Sequence, residues 1–241
     1  MTKYVALDPS AHRELKINTD ALQAQGANER IVPVVISEFP KLVIEYPIVF
    51  TKHEETGRFV CVAVLGFEPK ENLFWQNGVW TGIYTPLNVL RQPFFIGYDE
   101  GRSVICIDEQ AACVTREQGS EMFDAQGGET AYLKDVKRML SDLLAAERAT
   151  KTFTETLVAL DLLIPMPIEV TFGNGDKRSV KGFYTIDEKK LNSLESDKLV
   201  SLQKAKYLSP LYMIISSMGH FYSLINMKNT RLSVNQNDSQ G

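Results

Sequence analysis

Apolar residues come in short strand-like bursts through the first half of the chain, then change to a three-to-four spacing after about residue 130. "KYVALD" near the start and "RIVPVVI" (Arg30 to Ile36) read as the first strands. Two longer stretches resemble one another: "FPKLVIEYPIVFTKHEETGRFVCVAV" from Phe39 and "TPLNVLRQPFFIGYDEGRSVICID" from Thr85. Pro40 matches Pro86, Val43 matches Val89 and Pro47 matches Pro93. After a turn shortened by two residues, "GRFVCV" matches "GRSVIC". Each reads as short helix, proline, strand, glycine turn, strand. Proline disfavours helical geometry in the residue before it, so Tyr46 and Gln92 should leave the helix. Pro47 and Pro93 then open a strand, where a missing N–H costs least. Gly57 and Gly101 suit a positive-φ corner. The competing reading is chance likeness between short apolar runs after prolines.

Between these stretches, Asn77-Gly78 inside "ENLFWQNGVWTGIY" is a strong hairpin signal. "EQGSEMFDAQGGE" (Glu117 to Glu129) reads as a surface loop turning at Gly127-Gly128. Leu133, Val136, Leu140, Leu143 and Leu144 form a helical stripe that Phe153, Leu157, Leu160 and Leu163 continue, with "ATKTFTET" a point where the helix could divide. Ile168 to Ile186 reads as a further hairpin turning at Asn174-Gly175. Asp187 and Ser196 are helix caps, Tyr207 to Met227 is the last helix, and "SVNQNDSQG" is a polar tail expected to be disordered. Regular βαβ alternation is absent. The expected fold is α+β: antiparallel β-hairpins with an internally repeated helix–Pro–hairpin unit, followed by helices and a further hairpin. One domain is expected over 1–241, subdivided into a β-rich region (1–116), a helical region with a hairpin (117–232) and the tail (233–241).

Composition narrows the partners. The 241 residues are 44% hydrophobic and 23% charged with a formal charge of −4, and no Lys/Arg cluster is interleaved with aromatics. Nucleic acid is therefore not an expected partner. "MTKYVALDPSAHRELKIN" lacks the charged and apolar regions of a signal peptide. Cys61, Cys106 and Cys113 have no CxxC spacing; Cys61 and Cys106 lie in apolar runs, and buried reduced thiols in a cytoplasmic protein are the expectation. Tyr207 to Met227 is apolar, but Pro210, Gly219, His220, Asn226 and several serines favour a buried helix over a membrane span.

Motifs for catalysis are few. No phosphate-binding glycine loop and no GxSxG elbow occur. Ser217 and His220 share a helix face, yet a backbone-satisfied serine and an ordinary histidine explain them better than a dyad. His12, His53 and His220 lack metal-ligand spacing, and neither metal nor cofactor is expected. Asp108 and Glu109 end a strand; adjacent residues there point to opposite faces, so a turn and helix-cap role outweighs a carboxylate pair. Trp75 and Trp80 flank the Asn77-Gly78 turn as a ligand-stacking platform or, more simply, a cross-strand pair. Arg58 and Arg102 could bind an anion or pair with Glu54, Glu55, Asp99 or Glu100. With Tyr46 and Arg91, the residues Arg58, Trp75, Trp80, Asp108 and Glu109 make the candidate ligand or partner surface.

The motifs "EFPKLVIEYPIVF", "ENLFW", "YTPLNVLRQPFFI", "VICIDE", "LDLLIPMPIEV" and "GFYTIDEKKLNSL", in this order over about residues 30 to 225, resemble those of SapC-family bacterial proteins. The family takes its name from paracrystalline surface layers and is distinct from the transporter permease that shares it. The resemblance carries no catalytic residues. It implies contextual links to TonB-dependent uptake and to halogenase-like flavoproteins. The chain departs from the pattern at Gln92-Pro93-Phe94, where the family has "YPF", and on the last helix, where Ile214 takes a histidine's place and His220 an asparagine's. Three functions are weighed: a non-enzymatic binding or accessory protein in the cytoplasm, a surface-layer structural protein, and an enzyme with an acidic site assembled from Asp108, Glu109, Arg91 or His53. The partner is a protein or a small ligand, with homo-oligomers an option.

Overall fold

Proline and glycine set the element boundaries of the computed structural model, which describes residues 4–238. In chain order come β1 (Tyr4–Ala6), α1 (Pro9–His12), β2 (Lys16–Ile17), β3 (Ile31–Pro33), α2 (Phe39–Leu42), β4 (Ile48–Lys52) and β5 (Phe59–Val64). Next are β6 (Trp75–Gln76), β7 (Val79–Trp80), α3 (Leu87–Leu90), β8 (Phe94–Asp99), β9 (Arg102–Asp108), β10 (Val114–Thr115) and β11 (Ser120–Glu121). The rest is α4 (Ala131–Ala159), β12 (Leu163–Pro165), β13 (Ile168–Thr171), β14 (Lys177–Val180), β15 (Tyr184–Ile186), α5 (Glu188–Asn192), α6 (Ser196–Lys204), α7 (Leu208–Ser217) and α8 (His220–Asp238). The ladders are antiparallel, and the fold is α+β.

The chain forms two compact units. The first holds the residues up to Ala27 with Trp75–Thr81 and Thr85–Ala146; the second holds Asn28–Phe74, Gly82–Tyr84 and the residues from Glu147 onward. In the first, a sheet of order β1-β9-β8 and a smaller one of order β10-β2-β11 enclose a core. Leu15, Ile17, Phe94, Ile107, Met122, Leu133 and Leu140 belong to it. Five strands run β12-β15-β4-β5-β3 in the second.

The two sheets share a register. Ile48 pairs with Ala63 and Phe50 with Cys61; at the matching positions Phe94 pairs with Ile107 and Ile96 with Ile105. Val64 N–H donates to the Pro47 carbonyl at 3.0 Å, and Asp108 N–H to that of Pro93 at 2.9 Å. The third strands correspond too: Val32 lies opposite Ala63 and Val5 opposite Ile107. Gly57 and Gly101 occupy the expected positive-φ corners, at 64° and 79°. The segments differ at the prolines, for Gln92–Pro93 is cis.

Several expectations need correction. The threonine-rich stretch does not divide α4. Thr152, Thr154 and Thr156 instead return their hydroxyls to the carbonyls of Arg148, Thr150 and Thr152, satisfying polar groups within one continuous helix. Leu163 lies in β12 and not on the helix, which stops at Ala159; Asp161 follows with φ of 51°. Tyr207 to Met227 is two helices separated at Met218–Gly219, and among the described residues no helix is long and apolar enough to cross a membrane. Ser196 is the first residue of α6, with no side-chain cap; Asp187 does cap α5, accepting from Lys190 N–H at 3.0 Å. The hairpin from Ile168 closes at Val180. Gly182, φ 88°, then turns the chain so that β15 joins another sheet. The loop at Glu117 to Glu129 includes β11. Of the tail expected to be disordered, residues up to Asp238 continue α8; residues 239–241 lie outside the described residues.

Candidate functional site

Within the second unit, polar groups fix a segment that leads to an open cleft. Glu38 is 2% exposed. Its carboxylate accepts from Val35 N–H at 3.0 Å and from the Tyr84 hydroxyl at 3.0 Å. Tyr84 N–H donates to Glu45 at 2.8 Å, and the Tyr46 hydroxyl donates to the Tyr84 carbonyl at 2.5 Å. The Lys41 ammonium lies 5.1 Å from the Tyr84 ring centre. Burial, reinforced by the Glu38 charge and hydrogen bond, pushes the Tyr84 phenol well above its ordinary range. Tyr84 is thus a neutral donor to a buried carboxylate.

The cleft begins one residue before Glu38. Its cavity volume is about 370 Å³, and Ile36, Pro40, Ala149, Lys206, Pro210 and Met213 are among its lining residues. Ile36 N–H donates to the Thr150 hydroxyl at 2.9 Å, tying this wall to α4. Lys206 ends α6 in a left-handed conformation, φ 61°. There Lys206 N–H reaches the Gln203 carbonyl and Tyr207 N–H the Leu202 carbonyl, a helix end that holds Lys206 at the rim. Tyr207, also in the lining, meets Phe153 edge-on at 5.1 Å, and Phe153 meets Phe39 at 6.3 Å. The lining combines apolar surface, the hydroxyls of Ser37, Ser209 and Tyr207, and one cation, Lys206, among the described residues.

The residues singled out from sequence lie elsewhere. Tyr46 is 0% exposed and stacks on Phe74 at 4.5 Å. Trp75 and Trp80 are directly opposite across β6 and β7. Asn77 and Gly78 take positive φ in their turn. Trp80 is buried, with its ring 2.9 Å from where a Cβ on Gly26 would stand. Arg91 stacks on Phe95 at 4.3 Å and donates to Asn88 and the Phe94 carbonyl. Arg58 and Arg102 sit exposed in their hairpins, and among the described residues neither forms an ion pair with Glu54, Glu55, Asp99 or Glu100.

Asp108 accepts from Gln110 N–H at 3.0 Å, as a strand-end turn requires. Glu109 contacts His12 Nε2 at 3.1 Å, while His12 Nδ1 faces the Asp8 backbone. His12 thus meets an acid, and His53 is exposed. Nearby in the first unit, burial pushes the Cys113 thiol up to about 11, with Asp108 adding to it. The Tyr132 phenol is pushed up to about 12 by burial and then by Cys113. Ser217 accepts from Ile48 N–H and donates to the Ile214 carbonyl, whereas His220 meets the Val43 carbonyl, so the two are not a dyad. Cys61 and Cys113 are buried, whereas Cys106 is only partly so. No group of three or more His, Cys, Asp or Glu among the described residues is placed to hold a metal ion.

Sequence reasoning also missed the buried pair Lys228–Glu71, 2.5 Å apart, with Glu68 3.5 Å from the same ammonium. Glu71 additionally accepts from Phe67 N–H at 2.8 Å. The family motif "ENLFW" was the available signal, because Glu71 opens it.

Antiparallel sheets and helices define an α+β protein. The SapC family model matches residues 7–224. The chain therefore belongs to the SapC family. Searches of curated proteins and of solved structures found no match.

Proposed function

We propose that the protein is a non-enzymatic binding or accessory protein whose second-unit cleft takes a small amphiphile with an acidic head. One observation carries this reading: Lys206 is held at the rim of a cleft whose other walls are mostly apolar. Its 370 Å³ lies at the small end of the roughly 300–1,000 Å³ range of small-ligand sites. An aliphatic body would cover Ile36, Pro40, Ala149 and Met213. An acidic head would meet the Lys206 ammonium with Ser37 and Ser209 as hydroxyl partners. The buried thiols of Cys61 and Cys113 support a reducing compartment as the place of action.

The test is NMR titration with octanoate, octanol and octylamine. Octanoate should shift the Met213 methyl and the Lys206 amide most, and Lys206→Gln should weaken it about tenfold. Ala149→Trp, on the exposed face of α4, should block the cleft with folding intact. Equal binding of octylamine, or no response at Met213 with any of the three, would sink the proposal.

A further inference from the structure

The shared register exposes a difference at one strand edge in the first unit. β4 carries β15 on its outer edge, and the pairing is made at Phe50, opposite Tyr184. β8 occupies the matching place in its sheet, yet among the described residues it pairs with β9 alone. The Phe50 counterpart is Ile96.

Backbone alternation says which groups face outward. Asp108 N–H bonds the Pro93 carbonyl, so Phe95, Gly97 and Asp99 direct their amides and carbonyls at β9. Phe94, Ile96 and Tyr98 direct theirs to the outer edge. Phe94 is already engaged: its N–H donates to the Arg91 carbonyl at 2.8 Å and its carbonyl accepts from the Arg91 guanidinium at 2.9 Å. That leaves Ile96 and Tyr98.

We infer that this edge pairs with the same edge of a second copy, antiparallel, around a two-fold axis beside Gly97. Only this register sets Ile96 against Tyr98 of the other copy while leaving Phe94 undisturbed, and each such pair exchanges two N–H···O bonds. It places a tyrosine opposite Ile96, as Tyr184 stands opposite Phe50 within the chain. Tyr98 is 67% exposed and free to do so. Charge agrees as well. The register brings Asp99 of one copy opposite Phe95 of the other, whose ring carries the Arg91 guanidinium at 4.3 Å. The result is a six-stranded sheet across two chains, independent of the cleft proposed above.

Sedimentation velocity across the micromolar range, with amide hydrogen exchange at its two ends, tests this. The protein should dimerise, and the Ile96 and Tyr98 amides should exchange more slowly at high concentration. Tyr98→Lys and Asp99→Lys, both at exposed positions, should each raise the dimer dissociation constant about tenfold or more without altering circular dichroism. A monomer throughout, a dimer indifferent to both substitutions, or concentration-dependent protection elsewhere would overturn the inference. Capture of an extended partner peptide by a monomer would overturn the second copy as occupant.

Discussion

The sheets of the two units have the same three-strand register and different surroundings. In the second unit Ile48, Val49 and Phe50 are all fully buried, so successive residues pointing to opposite faces both meet protein. In the first, Phe94 and Ile107 face a core while Tyr4 and Phe95 stack on the outer face, with Tyr4 half exposed. The same "Pro, then apolar strand" pattern thus serves both a doubly covered strand and a singly covered edge strand. What surrounds a strand, more than the strand's own sequence, decides how much it stabilises.

Truncation should expose that contrast most sharply. Phe50→Ala should cost about 3–5 kcal/mol and the counterpart Ile96→Ala clearly less, measured by equilibrium denaturation. Equal losses would mean that both sheets are equally enclosed. Lys228→Ala should cost about 3–5 kcal/mol, because it leaves the Glu71 carboxylate buried without its cation; Lys228 lies in the second unit.

Alkaline titration sharpens the comparison next. The Cys61 thiol, with an ordinary value of 9.0, is pushed up to about 12 by burial against Thr154 as hydrogen-bond partner, and Cys113 to about 11. Above the ordinary thiol pKa the unfolded chain loses these protons while the folded protein keeps them. Stability present below pH 9.0 should therefore fall as pH rises, by roughly 1.4 kcal/mol per pH unit for each such group. Cys113→Ala should flatten the fall only to about pH 11 and Cys61→Ala to about pH 12, as followed by chemical denaturation at stepped pH.

Gly97 stands where the second sheet has Thr51, and an added Cβ would lie 2.7 Å from Cys106 Sγ. Gly97→Ala should cost about 1–3 kcal/mol, and adding Cys106→Ala should recover much of it. Smallest of all, Arg58→Ala and Arg102→Ala should each change stability by under about 0.5 kcal/mol in thermal melts.

Local chemistry explains which parts of this were readable beforehand. Pro47, Pro93, Gly57, Gly101 and Asn77-Gly78 act within a few residues of themselves, and the hairpins they predicted are present. The stripe from Leu133 to Leu157 was readable for the same reason. Threonine propensity misled at α4 because hydroxyl back-bonding and burial of Thr150 and Thr154 override it. The cleft was not readable. Ile36 meets Thr150 across 114 positions, and Lys206 reaches the rim through a helix end that no periodicity marks. Nor could Tyr46 be placed: only the fold shows its hydroxyl serving the Tyr84 backbone rather than a ligand.

The pairing of β15 with β4 also has a timetable. The β4–β5 hairpin is synthesised about 120 residues before Tyr184, an interval on the order of ten seconds at ordinary translation rates. Through that interval the outer edge of β4, whose Ile48, Val49 and Phe50 are fully buried in the finished fold, lacks its partner strand, while the last residue of the first unit, Ala146, is already made. The nascent chain is therefore most prone to self-association between those two moments, and slower decoding of residues 147–183 would prolong the hazard.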